Sequence, residues 1–453
     1  MNPDEGLVAL SGWGRTAHRK AVVRRPSSDN DLVGLVQATS RLTVRGAGKS
    51  YGDAALPEHG TVLDMTAHNR ILSFDQGKGI LVVEAGATLN AVLAQTLPLG
   101  WVLPVLPGTA HITVGGAIAS DVHGKNHPGA GSFGQHVLWM SLLRSDGSIH
   151  RLSAGQDSDG FWGTIGGMGL TGVILQAAIQ LQQVDTGWAS RRRRRTGSLK
   201  ETLGVLRELA AEQELDPELH VVAWLDAHQA GRGVVDECRP ARYRDLPRAV
   251  PPFPEQRGGS VRRSIRSLPG PGVMVRPAIA AASSARWKLS PAKERQLLPL
   301  TTALCPLDRA GSWPAAFGRA GLVQYQFAVP VEASDVLGQV LRLLVERRTT
   351  PALTTVKNLG YGTAGPLSFP IPGWTMAVDL PARRLGDGTM LRSVGDLVAG
   401  AGGRVYLAKD VVTDPALIPA MYPRLETWRR TQRRLDPDGR LTSALAQRLE
   451  LLS

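Results

Sequence analysis

Four separated glycine turns lie within the first 172 residues of this 453-residue chain, and they restrict its fold more than any other feature. Gly46-Ala-Gly48-Lys49-Ser50 resembles a phosphate loop, but Thr43 stands where the first glycine belongs, and Tyr-Gly-Asp follows instead of a helix. Gly167-Met-Gly169-Leu-Thr-Gly172 fits the G-x-G-x-x-G spacing. A Rossmann fingerprint must open a helix whose N-terminus meets the pyrophosphate, whereas here Val173, Leu175, Ala177, Ile179 and Leu181 alternate as a half-buried strand does. Pro107-Gly108-Thr109 and Val114-Gly115-Gly116-Ala117-Ile118 complete the set. Glycine turns let backbone N–H groups approach a diphosphate closely. Several of them converging on one extended ligand point to a dinucleotide held without either common nucleotide-binding motif.

The surrounding pattern is mixed. Ser28 followed by acids caps a helix, and Thr88 caps another over Leu89 to Leu97, ahead of Pro98 and Gly100. Leu42-Thr-Val-Arg, Thr61-Val-Leu-Asp and Gly79 to Glu84 read as strands. Ser198-Leu-Lys-Glu201 is a capping box that opens a helix with Leu199, Leu203 and Leu206 on one face. Residues 239–299 are rich in Pro, Gly and Arg and show little periodicity, so long basic loops are expected there. Val323 to Val329 alternates as a strand, and a helix is expected from about Ser334 to Glu346. Further strands are expected around 354–358, 375–380 and 404–409, with a basic helical region at the end.

Charge and cysteine content narrow the function classes. The net charge is +13, and residues 188–300 hold 21 basic against 12 acidic residues, including the run Arg191–Arg195. That stretch has few aromatics to stack bases and no nucleic-acid motif, so no nucleic acid is expected. A solvated basic face is the plainest reading, and a phosphate-bearing partner or membrane surface the alternative. Two cysteines cannot build a disulfide framework. His123-Gly-Lys-Asn-His127 has zinc-helix spacing, but Gly124 and the lack of a Glu argue against a site, and no metal is expected. An acidic start without an apolar core, and no run of about 18 apolar residues, point to a cytoplasmic or peripherally membrane-associated protein.

Arg45-Gly-Ala-Gly-Lys-Ser50, Thr113-Val-Gly-Gly-Ala-Ile118, Gly131-Ser-Phe-Gly134 and Gly166 to Gly172 occur in the order seen in the vanillyl-alcohol-oxidase-like (PCMH-type) FAD flavoproteins, which the chain resembles. Within that family RGAGKSYGD (45–53), the segment 103–134, LVQYQFAVP (322–330), PLSFPIPGW (366–374), YLAKD (406–410) and AMYPRLETW (420–428) are similar to a branch acting on lipid-linked pentose. The resemblance implies an α+β, two-domain fold: an FAD domain over 1–187, a substrate-binding (cap) domain over 188–401 covering the flavin, and a return to the FAD domain over 402–453.

By the same resemblance the FAD contacts are Arg45, Gly46, Ala47, Gly48, Lys49, Ser50, Tyr51, Pro107, Gly108, Thr109, Thr113, Gly115, Gly116, Ile118, Ala119, His123 and Asn126, then Gly169, Thr171, Gly172, Val173, Tyr406 and Lys409. Lys49 occupies the place of the histidine that tethers flavin in many relatives, which implies non-covalent FAD. Lys409, Tyr51 and Lys357 are the implied catalytic groups. His123, Lys125, Trp224, Gln324, Gln326, Tyr406 and Ala377 are the implied substrate contacts. Ala377 stands where that branch carries a cysteine, and Thr375, Leu359 and Val222 also depart from it.

The implied reaction is FAD-dependent oxidation of a CH–OH group, first of all the 2′-hydroxyl of a polyprenylphosphoryl-β-D-ribose to the 2′-keto sugar. A separate NAD(P)H-dependent ketoreductase would complete epimerisation to arabinose. The alternative is a soluble sugar, alditol or aldonolactone oxidase, or a tailoring enzyme acting on a nucleoside or glycoside.

Overall fold

A computed structural model describes residues 6–229, 231–254, 272–290, 295–310 and 313–453. The chain is α+β. A four-stranded mixed sheet runs in the order Leu7–Ser11, His18–Arg24, Thr61–Asp64, Leu42–Arg45, its last two pairings parallel. A five-stranded antiparallel sheet follows in the order Ile71–Asp75, Ile80–Glu84, Val173–Gln180, Val137–Leu143, Ile149–Leu152. An eight-stranded antiparallel sheet then runs Gln296–Pro299, Trp188–Thr196, Arg232–Pro240, His220–Asp226, Leu353–Leu359, Gly373–Pro381, Leu322–Pro330, Arg404–Val405.

The capped helices form where their signals place them. Ser28 accepts from Asp31 N at the start of Asp29–Ala38, and Thr88 accepts from Ala91 N at the start of Leu89–Thr96. Ser198 caps Leu199–Leu215, and the Glu201 carboxylate returns to Gly197 N, one residue before the cap. Leu199–Leu215, Asp335–Glu346 and Thr389–Gly400 bury Leu206, Leu209, Leu337, Leu344, Leu391 and Val394 in one apolar core with the large sheet. The opposite face of that sheet carries the site.

Three expectations are revised. The strand at 173–181 is not half-buried: it is central in its sheet, and bulges between Ile174 and Gln176 and between Ala178 and Ile179 shift the alternation, so Ile174 and Ala178 are buried too. Residues 404–409 form a strand only over Arg404–Val405. Lys409 N then bonds Tyr406 O and turns the chain into a 3-10 helix over Leu407–Lys409. Within 239–299, loops were expected, yet the helix Arg276–Lys288 and the strand Gln296–Pro299 form. That helix begins with Pro277 in its first turn, where a missing N–H costs nothing, and continues through alanines that favour helix without marking a strong apolar face. Residues 255–271 and 291–294 of that segment lie outside the described residues.

The C-terminal segment returns to the beginning of the chain. Leu441 bridges Leu42, the Thr43 hydroxyl donates to Thr442 O, and Trp428 Nε1 donates to Gly163 O. Arg448 forms two hydrogen bonds to Asp53 and one to Asp410, the residue after Lys409. Tyr51 N bonds Ala408 O at 3.1 Å, so the loop bearing Tyr51 and the loop bearing Lys409 are tied directly.

Candidate active site

One face of the eight-stranded sheet is unusually polar for a buried surface. In Leu322–Pro330 the alternation of Gln324, Gln326 and Ala328 with Val323, Tyr325 and Phe327 suggests one wet face, yet Gln324 and Gln326 are only 5% and 1% exposed. Their face turns to a cavity of about 550 Å³, within the range of small-molecule sites. Register places Ala377 opposite Gln326, and Thr355 opposite both Ala377 and Trp224, so these side chains share that face with Lys357 and Thr375.

Most of the sequence-derived residues meet there. Gly46, Ala47, Gly48, Lys49, Ser50, Tyr51, Pro107, Gly108, Thr109, Thr113, Gly115, Gly116, Ala119, Gly169 and Gly172 line one part of the cavity. His123, Lys125, Trp224, Gln324, Gln326, Lys357, Ala377, Tyr406 and Lys409 line the remainder. Five residues stand behind the wall. Ile118 and Val173 are core side chains, and the Thr171 hydroxyl bonds Thr164. Arg45 donates to Ala55 O and Ser11 O, and Asn126 to Pro104 O and Pro217 O. Their side chains hold the loops in place.

The glycines divide by what surrounds them. A Cβ on Gly46 would lie 2.2 Å from Thr113 Oγ1, and one on Gly172 would lie 2.5 Å from Leu142, so these two are packing requirements. At Gly169, with φ +77°, nothing stands within 4 Å of that position, and the backbone is open to a ligand. The helix Val114–Ala119 does not offer its amides: Val114 N bonds Ala87 O, Gly115 N bonds Ala85 O and Gly116 N bonds Thr113 Oγ1. The N–H groups of Ala47, Gly48, Lys49 and Ser50, by contrast, have no protein acceptor among the described residues. They form the cradle that suits an anionic diphosphate. Lys49 lies over the Trp13 ring at 3.5 Å, and burial brings its amine down to about 8.

At the other end the hydrogen bonds define a proton arrangement. The Thr375 hydroxyl donates to Phe327 O and accepts from Gln326 Nε2 at 2.9 Å. The second N–H of that amide reaches His123 Nε2, also at 2.9 Å, which makes Nε2 the unprotonated nitrogen. His123 Nδ1 therefore carries the hydrogen and faces Lys357 Nζ at 3.1 Å, while Lys357 donates to Gly124 O. The nearer of that hydrogen's two acceptors is Lys357, as a neutral amine, with Gly124 O at 3.4 Å the other. Burial, followed by the charges of Lys409 and Lys125, pushes the Lys357 amine well below the ordinary lysine range, in agreement. Burial likewise holds His123 in its neutral form.

The Lys409 amine has no hydrogen-bond partner among the described residues; it lies 5.7 Å from the Tyr51 ring centre and 5.9 Å from that of Tyr406. Burial lowers it to about 8, opposed by the nearby Asp379. Asp379 accepts from Gln324 and Trp313 and is pushed up by burial. The amide oxygens Gln324 Oε1 and Gln326 Oε1 are buried without partners. No protein donor satisfies them among the described residues.

The sequence reading missed Trp313, Asp379, Arg191, Arg193, Asp236, Arg286 and Cys238, all of which except Asp379 line the cavity. Cys238, far from the glycine turns in sequence, is brought to the wall by register with Arg191 and His220. Burial raises its thiol to about 11, so it is unreactive as a thiolate. The arginine run itself, read as a basic face, was the signal available for Arg191 and Arg193. His127 is structural, both ring nitrogens being used by Ser132 Oγ and Gly360 N.

Comparison with known proteins agrees with this geometry. The FAD binding domain family matches residues 20–153. A decaprenylphosphoryl-β-D-ribose oxidase of Mycolicibacterium smegmatis is 37% identical over 98% of this chain and 97% of its own length. An L-gulono-1,4-lactone dehydrogenase of Mycobacterium tuberculosis is 23% identical over 94% of the chain and 96% of its own length. The mouse L-gulonolactone oxidase is 32% identical, over 32% of each chain. With a diphosphate cradle at one end of the cavity, a lysine-rich pocket at the other and similarity along almost the whole chain, this protein belongs to the decaprenylphosphoryl-β-D-ribose oxidase family of vanillyl-alcohol-oxidase-type, FAD-dependent oxidoreductases.

Proposed function

We propose that the protein oxidises the 2′-hydroxyl of a polyprenylphosphoryl-β-D-ribose to the 2′-keto sugar, with FAD bound non-covalently. The observation that carries this reading is the free Lys409 amine beside Tyr51, in a pocket whose unpaired acceptors, Gln324 Oε1 and Gln326 Oε1, suit a polyhydroxylated ligand. FAD, when bound, supplies the acceptor for the hydride leaving the alcohol carbon. Its diphosphate would lie along Ala47–Ser50, and no histidine or cysteine stands in that loop to tether it.

The protein's own groups manage the proton and the orientation. An alcohol is a weak acid, so hydride departure needs an acceptor for the hydroxyl proton. The neutral Lys409 amine takes it, and the resulting ammonium lies near Asp379 and the Tyr51 and Tyr406 rings. Lys357 is occupied by His123 Nδ1–H and acts in positioning, since its lone pair is already engaged. Gln326 holds His123 in one tautomer. The sheet strands over 188–401 act as the cap over the flavin, and residues 402–453 close it with Lys409.

The keto sugar calls for a second enzyme, an NAD(P)H-dependent ketoreductase, to finish epimerisation. A lipid-linked substrate calls for peripheral membrane contact. No helix among the described residues is long and apolar enough to cross a membrane.

The test is anaerobic bleaching of the flavin absorbance by a short-chain polyprenylphosphoryl ribose, with free sugars and L-gulonolactone in parallel. Bleaching by the phosphoryl ribose supports the reading. Bleaching by the lactone alone would transfer the protein to the activity named for its gulonolactone relatives.

A further inference from the structure

The five-arginine run is not a uniformly solvated face. In the strand Trp188–Thr196, side chains alternate, so Arg191 and Arg193 turn to the cavity while Arg194 bonds Glu237 on the other side. Arg193 is paired with Asp236 at 2.6 Å. Among the described residues Arg191 bonds only the neutral Gln296 amide, and its Nε is buried without a partner. A third guanidinium, that of Arg286 from the helix Arg276–Lys288, lines the same lobe 5.0 Å above the Trp224 ring, without a hydrogen-bond partner among the described residues. Three guanidinium groups therefore share one carboxylate. Burial and the charge of Arg193 both press on Arg191, lowering its proton affinity, a repulsion that a bound anion would relieve.

We propose that this lobe is a phosphate subsite, in which Arg191 and Arg286 grip the phosphate ester of the substrate over Trp224 while Arg193 fixes the charge balance. Guanidinium forks match phosphate oxygens in two-point contacts. The net charge of the cluster exceeds what a carboxylate would neutralise. Position agrees with use. Arg193, Asp236 and Val222 lie on one row of the sheet, and the next strand on that row carries Lys357. Arg193 and Lys357 thus stand three strand spacings apart, about 14 Å, which leaves room for a phosphate and a pentose ring between the two side chains. The identification of the attached group as a pentose rests on the proposed sugar oxidation; the phosphate site does not.

The experiment uses the FAD-loaded protein. Calorimetric titration with inorganic phosphate should show binding, and R191Q and R286Q should each weaken it by about tenfold or more, as expected for loss of a charge-assisted contact. Steady-state kinetics should show KM for a phosphorylated pentose rising by a similar factor, with kcat far less affected, and R286K recovering part of the loss. Farnesylphosphoryl ribose preferred over ribose 1-phosphate would assign the anion to a lipid-linked sugar, and equal use would assign it to a soluble sugar phosphate. Absence of phosphate binding in the unmodified protein, or affinity in both variants equal to that of the unmodified protein, overturns the subsite. Phosphate binding that R286Q removes, in a protein whose flavin no phosphorylated pentose reduces, leaves the subsite standing and removes the sugar-oxidation reading.

Discussion

In the proposed reaction Lys409 is the residue on which the chemistry turns, because of the amines at the sugar end of the cavity (Lys125, Lys357 and Lys409) it is the one left without a hydrogen bond among the described residues. Its amine titrates at about 8, and a base must be unprotonated, so kcat/KM should rise with pH and level off above about 8. A pH–rate profile checks this. K409M should lower kcat by roughly 10²–10⁴-fold, the usual worth of a positioned base, and remove the rising limb. Lys357, already accepting from His123, should give a different signature: K357M should disturb KM and kcat together while keeping the limb. Gly46 is constrained by volume. G46A places a methyl group on the Thr113 hydroxyl that caps Val114–Ala119, so FAD retention on gel filtration should fall.

Among the elements, the arginine strand shows what one turn of register can decide. Arg194 bonds Glu237, which is nearly buried, whereas Arg192 is exposed. R194Q leaves that carboxylate without its cation and should cost about 1–3 kcal/mol, while R192Q should stay within about 0.5 kcal/mol. Thermal melts of the two variants would distinguish a paired arginine from a solvated one. In composition they are identical. The notion of a basic face was therefore half right, since neighbouring residues of one strand serve opposite sides. The same limit applies to Arg276–Lys288, whose alanines carry propensity but little periodicity, and to the bulged strand Val173–Gln180, whose alternation is broken by its partners.

The whole molecule is held closed by its C-terminus and is sensitive to acid through its interior. Arg448 joins Asp53, beside the Tyr51 loop, to Asp410, beside Lys409. R448Q leaves Asp410, fully buried, without its cation, and should destabilise the protein by roughly 3 kcal/mol while reducing kcat through loosened alignment of Tyr51 and Lys409. Differential scanning calorimetry and turnover on the same preparation test both halves. His127 and His220 are buried neutral, each brought down to about 3 chiefly by desolvation. An unfolded chain takes up these protons near its ordinary value of about 6.5. Stability is therefore full above about 6.5 and falls as pH drops toward 3, by up to about 1.4 kcal/mol per unit for each group. H220Q should lower the slope of stability against pH by about one proton.

Local chemistry was legible in the residues themselves. Ser28, Thr88 and Ser198 announced their helices, because a cap is satisfied within a few residues of its own position. The glycine turns pointed to a dinucleotide, in keeping with the FAD binding domain match, although Gly46 and Gly172 serve packing and the first amides of Val114–Ala119 are bonded within the protein; Thr43 and the strand after Gly172 were enough to set aside the two commoner motifs. Tertiary structure alone decided which side of each strand meets the cavity. Alternation alone would turn Gln324 and Gln326 to solvent; the family resemblance marked them as substrate contacts, and the fold buries them. Arg191 and Arg286, about 95 residues apart, meet only through the pairing of strands and a helix laid across them, and Cys238 reaches the wall by the same register. The physical reason is that propensity and capping are settled over a few residues of chain, whereas burial, charge pairing and proton position depend on neighbours that folding brings from hundreds of residues away.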